Sequence, residues 1–268
     1  MGKHEEQDAE LTAQEAAVYD RQMRLWGVEA QKRLQNSHIL ISGMTQLGSE
    51  VAKNLVLSGM SVTLHDVNVV TRANVDTQFF LTEDQIGLNI YLDNLCREKN
   101  IAFYAGHAFG LSGIFFCDLG NEHVYRRHVQ STDAPSDTTT VPELKVSYPS
   151  LETSALVTWS SLKPTRKRSP VTPAPYIAYQ RTYCLYLDER FLRSRGPSST
   201  GGLPGFFDDH QLATLAATAE ADVVPVCAIV AGILGQEVIK AISMKDEPLN
   251  NYFFFDGATG EGTVRRIG

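Results

Sequence analysis

The sequence is poor in cysteine, carries no excess of basic residues and has no apolar run long enough to cross a bilayer. Its 268 residues include only 4 cysteines, and none of these form a CxxC pair. This excludes an obvious zinc site and a disulfide framework, so buried reduced thiols are expected. The net charge of −7 argues against a general nucleic-acid binder. The longest apolar run, Val223 to Leu234, is interrupted by Pro225 and is too short for a membrane span.

The start of the sequence, MGKHEEQDAE, is acidic and lacks an apolar segment, so no secretory signal is expected. Hydrophobic residues make up 43% of the chain and charged residues 21%, as in ordinary soluble globular proteins. The length allows a full hydrophobic core and one or two domains. There is no internal repeat.

What is present near the N-terminus is a strand, a glycine turn and a helix. The apolar run Ser37–Ile41 predicts a strand, and Leu47, Val51 and Leu55 recur at helical spacing after the turn. Residues Ser61–Asp66 then predict a second strand that ends in a carboxylate. These pieces form a βαβ unit, which favours a parallel sheet.

The glycine turn keeps only part of a nucleotide-binding fingerprint. Such a turn needs glycines because bound phosphate approaches the backbone closely. Gly43 and Gly48 are present, but Thr45 and Gln46 occupy the middle of the turn. Asp66 stands where a ribose-binding carboxylate would lie, or it is a solvated residue at a strand end. The spacing alone indicates a structural turn.

The remaining pattern predicts further helices and strands. Thr12 and Glu15 form a capping box, and its helix is expected to run to about Leu34. The other expected elements are a helix at Tyr91–Lys99, strands at Ile101–Tyr104, Ile114–Cys117, Ala155–Trp159 and Asn250–Gly257, a helix near Tyr176–Arg195 and a buried helix that begins at Pro225. Residues Gln130–Val141 and Pro197–Gly202 are expected to be loops or connectors.

Several blocks of the sequence resemble the activating enzymes of ubiquitin-like proteins. They are Tyr19–Gln22 with Arg24–Gly27 and Glu29–Gln31, Gly43–Leu55, Asn74–Phe79, Gly106–Gly120, and Pro225–Ala228 through Gly257. Within that family the chain is most similar to the smaller subunits of the heterodimeric SUMO-activating enzymes. The match covers well over half of the chain, and Gln130–Asp222 matches only loosely.

The resemblance implies an α/β, Rossmann-like adenylation fold of the ThiF and ubiquitin-activating type. In this family two related halves pair, and one of them binds ATP and the modifier. The active half has Gly-x-Gly-Gly-x-Gly at the turn, an Asp after the second strand and an Asn-x-x-Arg-Gln motif further on. Here Thr45 and Gln46 replace two glycines, Thr77 stands where the phosphate-binding arginine would be, and no catalytic cysteine is recognisable. Gly43, Gly48 and Asp66 would then be a degenerate nucleotide site in an inactive half.

One residue of this half is expected to take part in the chemistry. In the family, the arginine of the Tyr-Asp-Arg-Gln motif reaches across the dimer to the ATP phosphates of the partner, and it matches Arg21. A guanidinium donated in trans can stabilise charge that develops on phosphates. Without the resemblance, Arg21 and the nearby Arg24 would be interpreted as solvated charges.

The sequence departs from the family after Gly87. There the chain passes almost at once to Leu92–Cys96, which matches the far side of a longer region, so on the order of fifty residues are missing by comparison. In a doubly wound sheet this would remove an edge strand and a strand beside the centre, exposing unpaired backbone and apolar faces. A splice or gene-model product, an omission of residues from the chain and a rewired but stable sheet all remain open.

The expected organisation is a single inactive adenylation domain over residues 1–268, loop-rich at about 121–222. The expected function is that of a regulatory subunit of a SUMO-activating enzyme. Its larger partner would bind ATP and Mg²⁺, and the complex would adenylate the C-terminal glycine of SUMO and form a thioester on a partner cysteine. The alternatives are a self-sufficient Rossmann-type nucleotide-binding enzyme and a degenerate interaction module. The basic cluster Lys163–Arg168 is either a solvated loop or a nuclear import signal, and a nuclear location fits the family.

Overall fold

The computed structural model describes residues 12–66, 88–127, 142–157, 221 and 223–268. The helices in these ranges are α1 (Ala13–Val18), α2 (Asp20–Trp26), α3 (Val28–Gln35), α4 (Gln46–Leu57), α5 (Leu88–Glu98), α6 (Leu151–Ala155) and α7 (Val224–Ser243). The strands are β1 (His38–Ser42), β2 (Ser61–His65), β3 (Phe103–Phe109), β4 (Ser112–Asp118), β5 (His123–Tyr125), β6 (Leu144–Val146), β7 (Tyr252–Asp256) and β8 (Glu261–Arg265).

The N-terminal segment forms three short helices instead of the single predicted helix. The capping box is confirmed, because the Glu15 amide donates to the Thr12 hydroxyl and the Thr12 amide donates to the Glu15 carboxylate, at 3.2 and 2.9 Å. The segment breaks at Tyr19 and again at Gly27. Gly27 has φ +84°, a conformation that other residues adopt at a cost and that interrupts a right-handed helix.

The predicted strand–turn–helix–strand unit is confirmed. β1 and β2 pair in parallel, with His38 opposite Ser61 and Ser42 opposite His65. The apolar stripe of α4, formed by Leu47, Val51 and Leu55, is buried as its spacing predicts. Gly59 follows the last turn of α4 with φ +90°, as expected of a glycine that terminates a helix.

Four later strands form an antiparallel sheet, so among the described strands the predicted parallel pairing is found for β1 and β2 alone. The strand order is β3-β4-β7-β8, and each neighbouring pair is antiparallel. β3 and β4 are joined by only Gly110 and Leu111, and so short a connection can join only antiparallel strands. The aromatic residues of β7 fill the centre of this sheet, which confirms the predicted buried strand.

Helix α7 lies against this sheet and against α4. Val226, Val230 and Leu234 belong to the same buried cluster as the α4 stripe. A Cβ built on Gly113 would lie 2.3 Å from the Val230 side chain, so the glycine allows helix and strand to approach closely. By length and composition α7 could cross a membrane, but a core helix passes the same test and more than half of it is buried. The buried helix predicted from Pro225 is confirmed, with Pro225 in its first turn.

Three further predictions have different outcomes. The strand predicted to begin at Ala155 is wrong, because Ala155 is the last residue of helix α6. The Ser150 hydroxyl caps the start of this helix by accepting the Thr153 amide. Cys117 and Cys227 are buried, as expected, and Cys96 is partly buried. The predictions for Asn74–Phe79, Gly87, Gln130–Val141, Lys163–Arg168, Tyr176–Arg195 and Pro197–Gly202 concern residues outside the described part of the chain.

The pair of β1 and β2 leaves apolar surface uncovered. Among the described strands, β1 has β2 as its sole hydrogen-bonded neighbour. Leu40 is 65% exposed and Leu64 is 51% exposed, whereas Ile39, Ile41 and Val62 pack on the core beneath α4. The exposure expected from a shortened sheet is therefore found at this pair.

Candidate functional site

The glycine turn between β1 and α4 is held by its own hydrogen bonds. Gly43 has φ +92° and its amide donates to the His65 carbonyl at 2.9 Å. Thr45 caps α4, because its hydroxyl accepts the Gly48 amide at 3.0 Å. A Cβ on Gly48 would lie 2.4 Å from the Gly43 carbonyl oxygen. Gly48 is therefore needed for the turn to pack on its helix, whether or not anything binds there.

The carboxylate of Asp66 contacts this turn directly. Its Oδ2 atom accepts the Met44 amide at 2.7 Å. The structure thus brings Gly43, Gly48 and Asp66 together, as the sequence predicted. The carboxylate lies at the end of β2, where the sequence places it, and it bonds the residue directly after Gly43.

These contacts do not fit a bound nucleotide. The N-terminus of a helix binds phosphate through backbone amides and the helix dipole. Here the Met44 and Gly48 amides already donate to Asp66 and Thr45, and Thr45 and Gln46 carry side chains where a phosphate-binding turn has glycines. The described residues also contain no cluster of three side chains that could ligate a metal ion.

Helix α2, which carries Arg21, is anchored to the far end of α4. The Gln22 amide group donates to the Leu57 carbonyl at 3.2 Å. The Tyr19 ring lies beside Gly59, where an added Cβ would come within 3.1 Å of it. Two residues of the Tyr-Asp-Arg-Gln motif therefore hold the helix in place.

A buried side-chain relay extends this anchor. The Trp26 indole donates to Gln31 Oε1 at 2.9 Å, and Gln31 Nε2 donates to the Ser58 carbonyl at 3.1 Å. Gln31 is fully buried, so both ends of its amide need these partners. Sequence reasoning assigned neither residue a role, although both lie in the block that resembles the family. A buried glutamine cannot be distinguished from a surface one by helical spacing alone.

Arg21 and Arg24 lie on the same helix but differ in their ion pairing. Arg24 pairs with Asp20 at 2.9 Å, with both side chains largely exposed. Arg21 is exposed and has no ion pair or hydrogen bond in the described part of the chain. Its guanidinium is therefore available to an external group, whereas that of Arg24 is already engaged on its own helix.

Arg21 also lies far from the glycine turn of its own chain. Gln22 contacts Leu57, the last residue of α4, whereas the glycine turn comes before the first residue of that helix. The 12 residues of α4 span roughly 18 Å at 1.5 Å per residue. Because an arginine side chain is much shorter than this helix, Arg21 does not complete the site at Gly43 and Gly48.

Exposed apolar residues lie on α2 and on the two helices next to it in the contacts above. Val18 and Leu25, on α1 and α2, are 69% and 72% exposed, and Leu57 at the end of α4 is 65% exposed. We call these three residues the α2 patch. Apolar side chains grouped at the rim of an unpaired arginine are typical of a surface that another protein covers.

A buried group of charged residues lies away from both features. Asp93 of α5 accepts the Leu151 amide at 2.8 Å and is 1% exposed. Burial, followed by the neighbouring Asp118, raises the pKa of Asp93 from 3.8 to about 7. Arg97 pairs with Asp118 and donates to the Tyr148 carbonyl at 2.7 Å. These contacts join α5 to the end of β4 and to the start of α6.

The parallel β1–α4–β2 unit, with its glycine turn and terminal carboxylate, defines an α/β protein of the Rossmann-like adenylation type. Residues 19–89 match the model of the ThiF family. SUMO-activating enzyme subunit 1 of Danio rerio is 30% identical over 346 aligned positions, covering 97% of each chain. The Homo sapiens and Dictyostelium discoideum proteins of that name are each 29% identical to this chain. The alignment with the Homo sapiens protein covers 100% of this chain and 99% of the relative, and the alignment with the Dictyostelium discoideum protein covers 96% and 94%.

The chain belongs to the family of SUMO-activating enzyme subunit 1. It is accordingly a component of an activating-enzyme complex that uses a nucleotide and contains another subunit. The alignment with the Danio rerio protein has 346 positions whereas this chain has 268 residues. That relative therefore carries internal residues that this chain lacks, which agrees with the shortening expected from the sequence.

Proposed function

We propose that the chain is the regulatory subunit of a heterodimeric SUMO-activating enzyme. The complex uses ATP and Mg²⁺, bound by the larger partner, to adenylate the C-terminal glycine of SUMO. The acyl group then passes to a cysteine of that partner as a thioester. Family membership supports this role, and the glycine turn that does not fit a nucleotide supports placing ATP in the partner. The same turn argues against a self-sufficient nucleotide-binding enzyme.

The observation that carries the proposal is the position of Arg21. It is exposed, without an ion pair among the described residues, and separated from the turn of its own chain by the length of α4. An arginine held in this way serves a site on another molecule. In our proposal that site is the ATP site of the partner subunit.

The role of Arg21 follows from the charge of the reaction. Adenylation of a carboxylate by ATP develops negative charge on the phosphates, and a guanidinium stabilises it with a planar set of donors. The anchors at Tyr19 and Gln22 fix the helix, so that little conformational freedom of the backbone is lost when the arginine engages.

The α2 patch would form part of the same contact. Val18, Leu25 and Leu57 are exposed apolar residues on α1, α2 and the end of α4, and burying them against the partner would remove water from this face of the chain. Exclusion of water strengthens the interaction between the arginine and a phosphate. In this proposal neither nucleic acid nor a membrane is a partner, and the complex acts in the nucleus.

Substitution of Arg21 tests the proposal. We expect Arg21→Ala to leave heterodimer formation nearly intact and to slow ATP–pyrophosphate exchange of the assembled complex. A trans arginine can contribute about 10³–10⁵ in rate. Because Mg²⁺ and basic residues of the partner would share the task, we expect a loss of roughly ten- to a hundredfold. Arg21→Lys should recover little of it, since a lysine lacks the planar fork.

Arg24→Ala is the matched control, because Arg24 is on the same helix but paired with Asp20. It should cost far less than Arg21→Ala. If neither substitution changes pyrophosphate exchange in the assembled complex, the chain is an interaction module and Arg21 is only a surface charge. If the pure chain alone catalyses exchange, it is a self-sufficient enzyme.

A further inference from the structure

We propose that Gln31 is a positioning residue for Arg21, and that it acts by holding the last turn of α2 against the end of α4. The inference rests on the proposed function, because the position of Arg21 matters for the reaction only if this residue reaches a site on another molecule. A short helix at the surface can then present an arginine in one place.

Helix α2 needs support from other elements. It has 7 residues, and none of them is fully buried. Isolated helices shorter than about 12 residues are marginal in water, so the conformation and the position of α2 depend on its contacts. Arg21 lies in the first turn of this helix. Any displacement of α2 therefore displaces the guanidinium that the partner would use.

The end of α4 supplies contacts of this kind. The Leu57 carbonyl accepts Gln22 Nε2 at 3.2 Å, and the next carbonyl, that of Ser58, accepts Gln31 Nε2 at 3.1 Å. The last carbonyls of a helix have no partner within the helix, so they are free to accept side-chain donors. A Cβ built on Gly59 would lie 3.0 Å from Gln31 Nε2, so the glycine leaves room for this contact.

Gln31 connects the end of α4 to the other end of α2. Its Oε1 atom accepts the Trp26 indole at 2.9 Å, and Trp26 is the last residue of α2. The Trp26 ring also packs on the buried cluster that contains the α4 stripe. Gln22 thus holds the first turn of α2, and Gln31 holds the last turn through Trp26. Arg21 lies on a helix that is fixed at both ends.

The side chain of Gln31 is itself held in place. It is 0% exposed, and Ala30 and Leu34 on the same face of α3 are 1% and 0% exposed. Because both ends of its amide group are bonded and buried, a change of rotamer would leave polar groups without partners. The core therefore determines where α2 lies, and Arg21 is in position before a partner binds. Prior positioning of this kind lowers the entropic cost of reaching the transition state.

Substitution of Gln31 in the assembled complex, with and without Arg21→Ala, tests the inference. Gln31→Met keeps the length of the side chain and removes both hydrogen bonds. ATP–pyrophosphate exchange is measured at saturating and at limiting ATP, and hydrogen exchange reports the protection of the α2 amides. Leu151→Ala is the control for general destabilisation, because Leu151 is buried in a different cluster from the one on which Trp26 packs.

We expect Gln31→Met to slow pyrophosphate exchange roughly three- to tenfold, which is about the factor that one hydrogen bond contributes. The loss should persist at saturating ATP, because the arginine is needed in the transition state, and the α2 amides should lose protection. In the Arg21→Ala background the same substitution should change the rate less than about twofold, since no arginine is left to position. Leu151→Ala should leave the rate per assembled complex and the protection of α2 unchanged.

Three results would overturn the inference. An equal loss in both backgrounds means that Gln31 only stabilises the fold, and a similar loss in Leu151→Ala means that any destabilisation slows the reaction. An unchanged rate in Gln31→Met means that it positions nothing. If Gln31→Met does not assemble, Trp26→Phe gives the same comparison, because it removes the indole donor and keeps an aromatic ring.

Failure of this inference can be distinguished from failure of the proposed function. If Arg21→Ala slows exchange but Gln31→Met does not, or does so equally in both backgrounds, only the role of Gln31 is wrong. If Arg21→Ala leaves exchange in the assembled complex unchanged, the trans-arginine proposal is wrong and the positioning role of Gln31 is wrong with it.

Discussion

Replacing Asp93 with asparagine should remove a pH dependence from the junction of α5 and α6. Asp93 is 1% exposed, accepts the Leu151 amide at 2.8 Å, and has a second oxygen that is buried without a hydrogen-bond partner. Burial, with the nearby Asp118, raises the pKa of Asp93 to about 7. An asparagine keeps the acceptor for Leu151, and its amide group can donate to Asp118 without a charge.

The sign and size of the effect follow from the pKa. A raised carboxyl pKa means that the folded state holds the proton more tightly than the unfolded state. The contribution of Asp93 to stability is therefore greatest near pH 4, declines as the pH rises to about 7, and is constant above that. A pKa moved from 3.8 to about 7 corresponds to at most roughly 4 kcal/mol. Because local relaxation and water reduce the effective cost of burying a charge in a real protein, we expect about 1–3 kcal/mol.

The assay is hydrogen exchange of the backbone amides of α5 in the assembled complex, between pH 5 and pH 8. After correction for the pH dependence of chemical exchange, protection reports the free energy of local opening. Protection in the unsubstituted protein should fall as the pH rises. The Asp93→Asn variant should change little with pH and should be better protected at pH 8. Glu152→Gln is the control, because Glu152 bonds Asn94 at the same junction but is exposed. An unchanged pH profile in Asp93→Asn would refute the reasoning.

Three further predictions concern the chain itself. The isolated chain should show no ATP–pyrophosphate exchange, because Thr45 and Gln46 stand where a phosphate-binding turn needs glycines and Thr77 stands where the family's arginine would be. Robust exchange would overturn the inactive assignment. Expressed alone, the chain should aggregate or give a low yield, because Leu25, Leu40 and Leu57 are largely exposed, and co-expression with a larger subunit should restore the yield. A cooperative thermal transition of the lone monomer would count against this. Gly48→Ala should destabilise the complex by more than about 2 kcal/mol, because the added Cβ meets the Gly43 carbonyl at 2.4 Å. Gly232→Ala, where the added Cβ meets nothing, should be neutral or stabilising by up to about 1 kcal/mol in thermal unfolding.

Short-range patterns predicted much of the local structure. The capping box at Thr12, the apolar stripe of α4 and the glycine after its last turn all depend on residues within a few positions of one another. Interactions of this kind are encoded by helical spacing and capping chemistry, so they can be predicted before the fold is known. The same patterns, together with the motif around Arg21, were sufficient to indicate the family.

The wrong structural predictions concern segments whose local sequence pattern is compatible with two structures. The N-terminal segment has helical residues throughout, and only the conformation of Gly27 divides it after Trp26. The βαβ unit suggested a parallel sheet, but β3, β4, β7 and β8 are antiparallel. Short connections impose this on the pairs β3–β4 and β7–β8, whereas β4, which ends at Asp118, pairs with β7, which begins only at Tyr252. The apolar segment at Ala155 could be helix or strand, and its cap at Ser150 decided for helix.

The sequence by itself determined the family, the location of the turn and the identity of the arginine, because each is a pattern of neighbouring residues. The tertiary structure alone decided what those residues contact. The Asp66 carboxylate meets an amide 22 positions earlier, Gln22 meets a carbonyl 35 positions later, and Asp93 meets an amide 58 positions later. Contacts between residues so far apart depend on how elements pack, and packing turns Asp66 into the turn while leaving Arg21 open to a partner.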